Sequence, residues 1–233
     1  MLPRSGGPSW FSIKASTVDG SVIECSLQDI TERVQSTERL EYLASHDPLT
    51  GCLNLRGLAL ETDKAGARPT ALAYFDLDRF KLINDLYGHN AGDNVLKQVA
   101  ERMGSVLHRH DKLARVGGDE FVIVFSRATM AESEVSCNSI AMLIGSTPFQ
   151  IENQSFSLDV SGGLVGMEQF GQSPLKDIVS AADTLCRMAK KRSNQRLMVM
   201  DSNDRFFQQH QDELELINCF ERGETCLLYT SDA

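Results

Sequence analysis

The chain has 233 residues, 42% of them hydrophobic and 24% charged, enough for one sizeable core with short pieces on either side. Its net charge of −9 argues against a broad nucleic-acid or anionic-membrane surface, and no apolar run approaches the ~20 residues that span a bilayer. Six cysteines with no Cys-x-x-Cys pair and no metal-ligand spacing read as reduced, mostly buried thiols of a cytoplasmic protein.

In chain order, residues 1–12 have neither the apolar core nor the cleavage site of a secretory signal. Strands at 10–15 and 21–27 flank the turn Val18-Asp19-Gly20. Thr31 reads as the N-cap of a helix over 31–45. The apolar residues there, Ile30, Val34, Leu40 and Leu43, are too few and irregular for a coiled coil. The nearly continuous apolar run 69–75 predicts a strand covered on at least one face. A helix over 79–87 follows, closed by Gly88. Val95, Leu96, Val99, Met103, Val106 and Leu107 then recur at helical spacing. Apolar runs at 112–116 and 121–125 flank Gly117-Gly118-Asp119-Glu120 as a hairpin, whose adjacent glycines permit positive φ angles. Beyond it come a helix over 131–144 and a strand pair, 149–151 and 155–164, around Glu152-Asn153-Gln154. A helix marked by Leu175, Ile178, Val179, Ala182, Leu185 and Ala189 leads to a last strand at 196–200. Helices interleaved with an antiparallel-biased sheet make an α+β sandwich, a central, mainly antiparallel sheet flanked by helices.

The hairpin tip and the strand end Phe75-Asp76-Leu77-Asp78 place acidic groups on a glycine-rich turn beside a second acidic strand end. Such an arrangement suits Mg²⁺ held against nucleotide phosphates. The negative net charge does not exclude a nucleotide, because a divalent ion and a few local cations reverse the field inside one cleft.

Five motifs in order carry a resemblance: Asp47-Pro48-Leu49-Thr50-Gly51, Asp76 through Asp85, Gly88 through Asp93, Arg115 through Phe121, and Ala182-Asp183 with Ala189-Lys190. Together they resemble the GGDEF domain of the diguanylate cyclase family over residues 46–201. The resemblance implies a ferredoxin-like, nucleotidyl-cyclase type of sandwich. It also implies a domain homodimer that condenses two GTP into cyclic di-GMP. Residues 1–30, with the exit Asp29-Ile30-Thr31, resemble the C-terminal hairpin of a PAS sensor domain, and 31–45 would be the signalling helix that couples it onward. Residues 202–225 resemble the linker towards an EAL phosphodiesterase domain. Residues 226–233 match the translation of a sequencing adapter and are set aside from fold reasoning.

A 3′-hydroxyl must attack an α-phosphorus while pyrophosphate leaves, and negative charge is the obstacle. Asp76 and Asp119 are the natural ligands for Mg²⁺, with Mn²⁺ the alternative, and the resemblance adds the carbonyl of Leu77. Glu120 is expected to deprotonate the hydroxyl, either directly or as the ligand of a second ion. The amides around Arg79 and Phe80 open a helix and favour phosphate. Lys81 carries a cation to the same end, and Lys190 is the expected second phosphate cation. Asn84 and Asp93 suit the Watson–Crick edge of guanine.

The chain departs from the family pattern in four places. Leu55 stands where an arginine is usual, with Arg56 beside it. Ser193-Asn194-Gln195 replaces Gly-Arg-Asn, and Arg187 replaces a tyrosine. The Arg-x-x-Asp inhibitory site reads His108-Arg109-His110-Asp111, which keeps only its aspartate. These changes spare the metal centre but are expected to weaken the phosphate end and product feedback. Three readings therefore stand side by side: an active cyclase, a GTP-binding regulatory module that tunes an attached EAL domain, and an inert truncated fragment unable to pair.

Overall fold

The structure, a computed structural model, describes residues 8–18, 22–64, 69–151, 154–171, 173–192 and 196–200. The expectations for Ser193, Asn194 and residues 202–233 lie outside the described residues. A two-stranded hairpin, β1 (Phe11–Val18) and β2 (Val22–Asp29), leads into helix α1 (Thr31–Ser45). Thr31 is the first helical residue rather than the N-cap. The Asp29 carboxylate accepts its N–H at 2.9 Å, while the Thr31 hydroxyl accepts from the Trp10 amide at 2.8 Å, so Thr31 ties the helix to the hairpin.

Helix α2 (Leu55–Lys64) precedes β3 (Ala71–Leu77), which is the middle strand of a five-stranded sheet. After β3 come α3 (Phe80–Tyr87), α4 (His89–Val106), β4 (Lys112–Arg115), β5 (Glu120–Phe125) and α5 (Met130–Ser146). The short hairpin β6 (Phe149–Ile151) and β7 (Gln154–Phe156) stands apart from that sheet. The chain then re-enters the sheet as β8 (Val160–Gly166), turns through Met167–Phe170, and ends its described part with α6 (Leu175–Lys191) and β9 (Leu197–Val199). The sheet order is β4-β5-β3-β8-β9, antiparallel throughout except for the parallel pair β8 and β9. The single strand expected over 155–164 is thus two strands in different sheets. Phe156, Leu158 and Val160 keep an unbroken alternation through the break, so periodicity could not reveal it.

Strand alternation explains the two layers of the sandwich. Ala71, Ala73, Phe75 and Leu77 point to one face, with Val95, Val99 and Met103 of α4 and Ile140 and Ile144 of α5. Leu72 and Tyr74 point to the other, with Leu58 of α2 and Ala182, Leu185 and Ala189 of α6. Helix α6 lies very close to β8 because Gly163 has no side chain: a Cβ there would sit 2.1 Å from the Ala182 carbonyl oxygen. That approach brings the C-terminal turn of α6, with Lys190, over the end of β3.

Among the described residues no helix is long and apolar enough to cross a membrane. Cys25, Cys52, Cys137 and Cys186 are free thiols, the last two buried.

Candidate functional site

The end of β3 is where the sandwich meets water. Asp76 is the one residue of that strand that is not fully buried. It lies directly opposite Glu120 on β5 and opposite Ser161 on β8. Directly paired residues share a face, so Asp76 and Glu120 stand on the α6 side of the sheet with Tyr74 between them and the core. The Leu77 amide donates to the Asp119 carbonyl at 3.2 Å, extending the ladder into the turn and setting Asp119 beside them. Burial first, and then the nearby Asp76 charge, push the Asp119 carboxyl above its ordinary range. Lys190 answers this crowding of negative charge by forming an ion pair with Asp76. Burial alone would lower the Lys190 ammonium, but the bonded Asp76 and the nearby Asp78 hold it above its usual value. Asp78 accepts the Ser161 hydroxyl at 3.0 Å, and burial raises its carboxyl despite that bond.

The turn itself is built differently from the sequence expectation. Neither Gly117 nor Gly118 has a positive φ; the Val116 amide instead donates to the Glu120 carbonyl at 3.0 Å across the turn. What Gly117 supplies is space. A Cβ there would lie 1.8 Å from Glu120 Oε2, so the Glu120 carboxylate occupies the room that the missing side chain leaves.

Arg115 fixes the turn from outside. Its guanidinium donates to the Gly118 carbonyl at 2.7 and 3.1 Å and to both Asp47 oxygens at 3.0 and 3.1 Å. Burial by itself would raise the Asp47 carboxyl, but hydrogen bonds from Thr50 and Arg115 outweigh it and hold the group below the usual range. Sequence reasoning gave Arg115 no role, because its partner lies 68 residues away on another loop.

At the start of α3, just beyond the β3 end, Arg79 adopts φ 60°, a left-handed conformation uncommon for a side-chain-bearing residue. Phe80 is buried in the core and so holds that turn in place, whereas Lys81 is exposed. Asn84 lies over Gly92, where a Cβ would meet its Oδ1 at 2.0 Å, so the α3–α4 contact brings Asn84 beside the turn of helix that carries exposed Asp93. A cleft of about 830 Å³ opens next to this region, with Asp78, Arg79, Lys190, Arg192 and Arg196 on its polar side and Leu82, Leu86 and Tyr87 on its apolar side. A cleft of about 900 Å³ between α1, α2 and α4 touches none of Asp76, Asp119, Glu120 and Lys190.

The residues of the degenerate inhibitory motif are engaged structurally. Asp111, whose side chain is 3% exposed, accepts the His108 amide at 2.9 Å and the Ser126 amide at 3.1 Å. Arg109 donates to His110 instead of turning to Asp111.

Among the described residues no three His, Cys, Asp or Glu side chains converge tightly enough to form a metal cluster. The donor set at the β3 end nevertheless fits a hard divalent cation. It consists of carboxylate and carbonyl oxygens, its charges are crowded, and a lysine ammonium already takes the cationic place beside Asp76.

Comparison with known proteins agrees with the geometry. Residues 44–196 match the family described as diguanylate cyclase, GGDEF domain. The probable diguanylate cyclase DgcE of Escherichia coli strain K12 is 33% identical over 209 residues, covering 85% of this chain and 19% of that protein. The cyclic di-GMP phosphodiesterase PdeB of Shewanella oneidensis is 31% identical over 188 residues, covering 77% of this chain and 21% of that protein. The chain therefore spans about a fifth of the length of these curated relatives. The GGDEF domain of DgcB from Caulobacter crescentus, solved in complex with c-di-GMP, superposes with a TM-score of 0.59 at 27% identity, covering 67% of this chain and 95% of that one.

Proposed function

Since the chain belongs to the diguanylate cyclase, GGDEF domain family, we propose that residues 46–201 are a catalytic domain joining two GTP into cyclic di-GMP. The observation that carries this reading is the pairing of Asp76 with Glu120 across β3 and β5, with Asp119 in the adjoining turn and Lys190 above. Asp76, the Leu77 carbonyl, Asp119 and Glu120 would hold a divalent cation, Mg²⁺ or Mn²⁺, whose chemistry there is to neutralise phosphate charge and lower the pKa of a nearby hydroxyl. The amides of Arg79 and Phe80, with Lys81 and Lys190, take the triphosphate; Lys190 can pass from Asp76 to a phosphate oxygen, since both are anions. Asn84 and Asp93 take the guanine edge. Glu120 takes the proton of the 3′-hydroxyl as its oxygen bonds to the α-phosphorus of the second GTP and the bond to pyrophosphate breaks. Repeated with the roles exchanged, this step closes the ring.

One domain holds one GTP, so the two reacting ends must come from two domains facing each other about a C₂ axis. Specific activity is therefore expected to rise with protein concentration, and further when a strong dimerising coiled coil is fused ahead of Thr31. Activity that stays flat across a wide dilution series, with a monomer throughout by light scattering, would defeat the two-domain reading.

The role of Glu120 has its own test in Gly117→Ala. The backbone there accepts alanine, so the fold should hold, while the new Cβ displaces the carboxylate. Turnover is expected to fall at least about tenfold, the cost of a misplaced reacting group, with little change in melting temperature. Unchanged turnover would mean that the seat of Glu120 does not matter.

The second reading, a GTP-binding module that regulates an attached domain, is favoured by the match to a relative named as a cyclic di-GMP phosphodiesterase. It differs in one measurable outcome: GTP is bound and not consumed.

A further inference from the structure

Ser133 and Ser161 are the buried polar side chains among the described residues. Ser133 bonds the carbonyl one turn back on its own helix. Ser161, 4% exposed on β8, gives its hydroxyl to a charged group instead: its Oγ lies 3.0 Å from each carboxylate oxygen of Asp78. The Asp78 amide also donates to the Asp159 carbonyl at 2.9 Å, so the residue that follows β3 is fastened to β8 and its approach by backbone and side chain together. Ser161 is itself held from α6, where the buried Cys186 thiol donates to its carbonyl at 3.2 Å. One turn further along that helix, on the same face, stands Lys190. Ser161 thus sits where the end of β3, the turn through Arg79 into α3, and the last turn of α6 meet.

Asp78 is an awkward neighbour for a triphosphate, since it is an acid lining the same cleft as Lys190. Released from the hydroxyl, its carboxylate would turn to that ammonium and compete with phosphate for it. The turn that Asp78 begins is also strained at Arg79, φ 60°, and such a conformation persists where the surroundings hold it.

We propose that Ser161 is a positioning residue for the phosphate end of the site: its hydroxyl fastens Asp78, which keeps the turn that opens α3 in shape and leaves Lys190 available to the triphosphate. Ser161 touches no substrate. This rests on the reading that the amides opening α3 and Lys190 take the triphosphate.

Calorimetry on the full chain, with a GTP analogue that cannot release pyrophosphate and with GMP, tests it through binding alone. Ser161→Thr and Ser161→Val add the same bulk and differ in the hydroxyl. The analogue is expected to bind roughly tenfold more weakly to Ser161→Ala than to the unsubstituted chain, and roughly tenfold more weakly to Ser161→Val than to Ser161→Thr, as for the loss of one hydrogen bond to a charged group. GMP lacks the two outer phosphates, so its affinity should change less than about twofold in the same comparisons. A merely structural serine would weaken both nucleotides alike. Equal losses for the two, no loss, or no difference between Ser161→Thr and Ser161→Val would overturn the proposal. A double-mutant cycle on urea unfolding, with Ser161→Ala, Asp78→Ala and both together, reads the contact without any nucleotide. Non-additive effects support the proposal and additive effects overturn it. If the unsubstituted chain binds neither nucleotide, the GTP reading fails separately, and the cycle still decides whether Ser161 holds Asp78.

Discussion

Asp119→Ala and Glu120→Ala are each expected to abolish cyclic di-GMP formation, with turnover reduced about a thousandfold or more, while GTP affinity falls less for Glu120→Ala than for Asp119→Ala. The reason lies in when each carboxylate acts. Asp119 sits in a crowded acidic corner, beside Asp76, where a cation bound with the ground-state nucleotide relieves the repulsion. Glu120, whose carboxylate lies over Gly117, serves the proton that moves only as the bond to phosphorus forms. Kinetics with binding measured separately by calorimetry decides the matter. Full turnover in Glu120→Ala would remove that residue from the reaction.

Arg115→Ala is expected to produce the second large effect, this time on both stability and turnover. The guanidinium joins the Asp47 loop to the Gly118 carbonyl, with side chains only 13% and 17% exposed at Arg115 and Asp47. Losing charge-assisted hydrogen bonds of this kind costs about 1.5–3 kcal/mol, and the freed turn no longer presents Asp119 and Glu120 at a fixed place. The sign with pH follows from Asp47. Its folded carboxyl lies below the usual range, so its contribution is present in full above the unfolded pKa of ~3.9 and is lost as pH falls through the folded value. The stability gap between the unsubstituted chain and Arg115→Ala should therefore be widest above about pH 5 and narrow towards pH 3. Urea unfolding at several pH values checks this; a gap independent of pH would mean that the ion pair is not its source.

The parts of the fold that were legible in the sequence are those where one local signal dominates. The apolar run before Asp76 could only be a covered strand, and the heavy helical periodicity from Val95 to Val106 gave α4. Turn-flanking runs gave β4 and β5. Helix α2 was missed because Gly57 interrupts its short apolar pattern. The glycine is there so that α2 can approach α1, since a Cβ would lie 2.0 Å from the Ser45 carbonyl oxygen. The usable signal was Asn54, whose side chain accepts the Gly57 amide at 2.8 Å as a helix cap does. In the site, the acidic residues were legible from chemistry alone, but what holds them was not. Asp76 reads in sequence as a strand end, and only the register of β3 with β5 sets it opposite Glu120. Gly117 reads as a turn former, and only the position of the Glu120 carboxylate reveals it as a vacancy for a side chain. Long-range register and side-chain volume decide both, and neither is written in local spacing.

The most direct measurement is incubation of the whole chain, at a concentration high enough to pair, with GTP and Mg²⁺, followed by chromatography of the nucleotides and assay of pyrophosphate. Cyclic di-GMP accompanied by two equivalents of pyrophosphate, dependent on the divalent ion and lost in Glu120→Ala, is the expected result. GTP that binds with saturable affinity yet remains unconverted, at every protein concentration and with the dimerising fusion in place, would contradict the cyclase reading and leave the regulatory one.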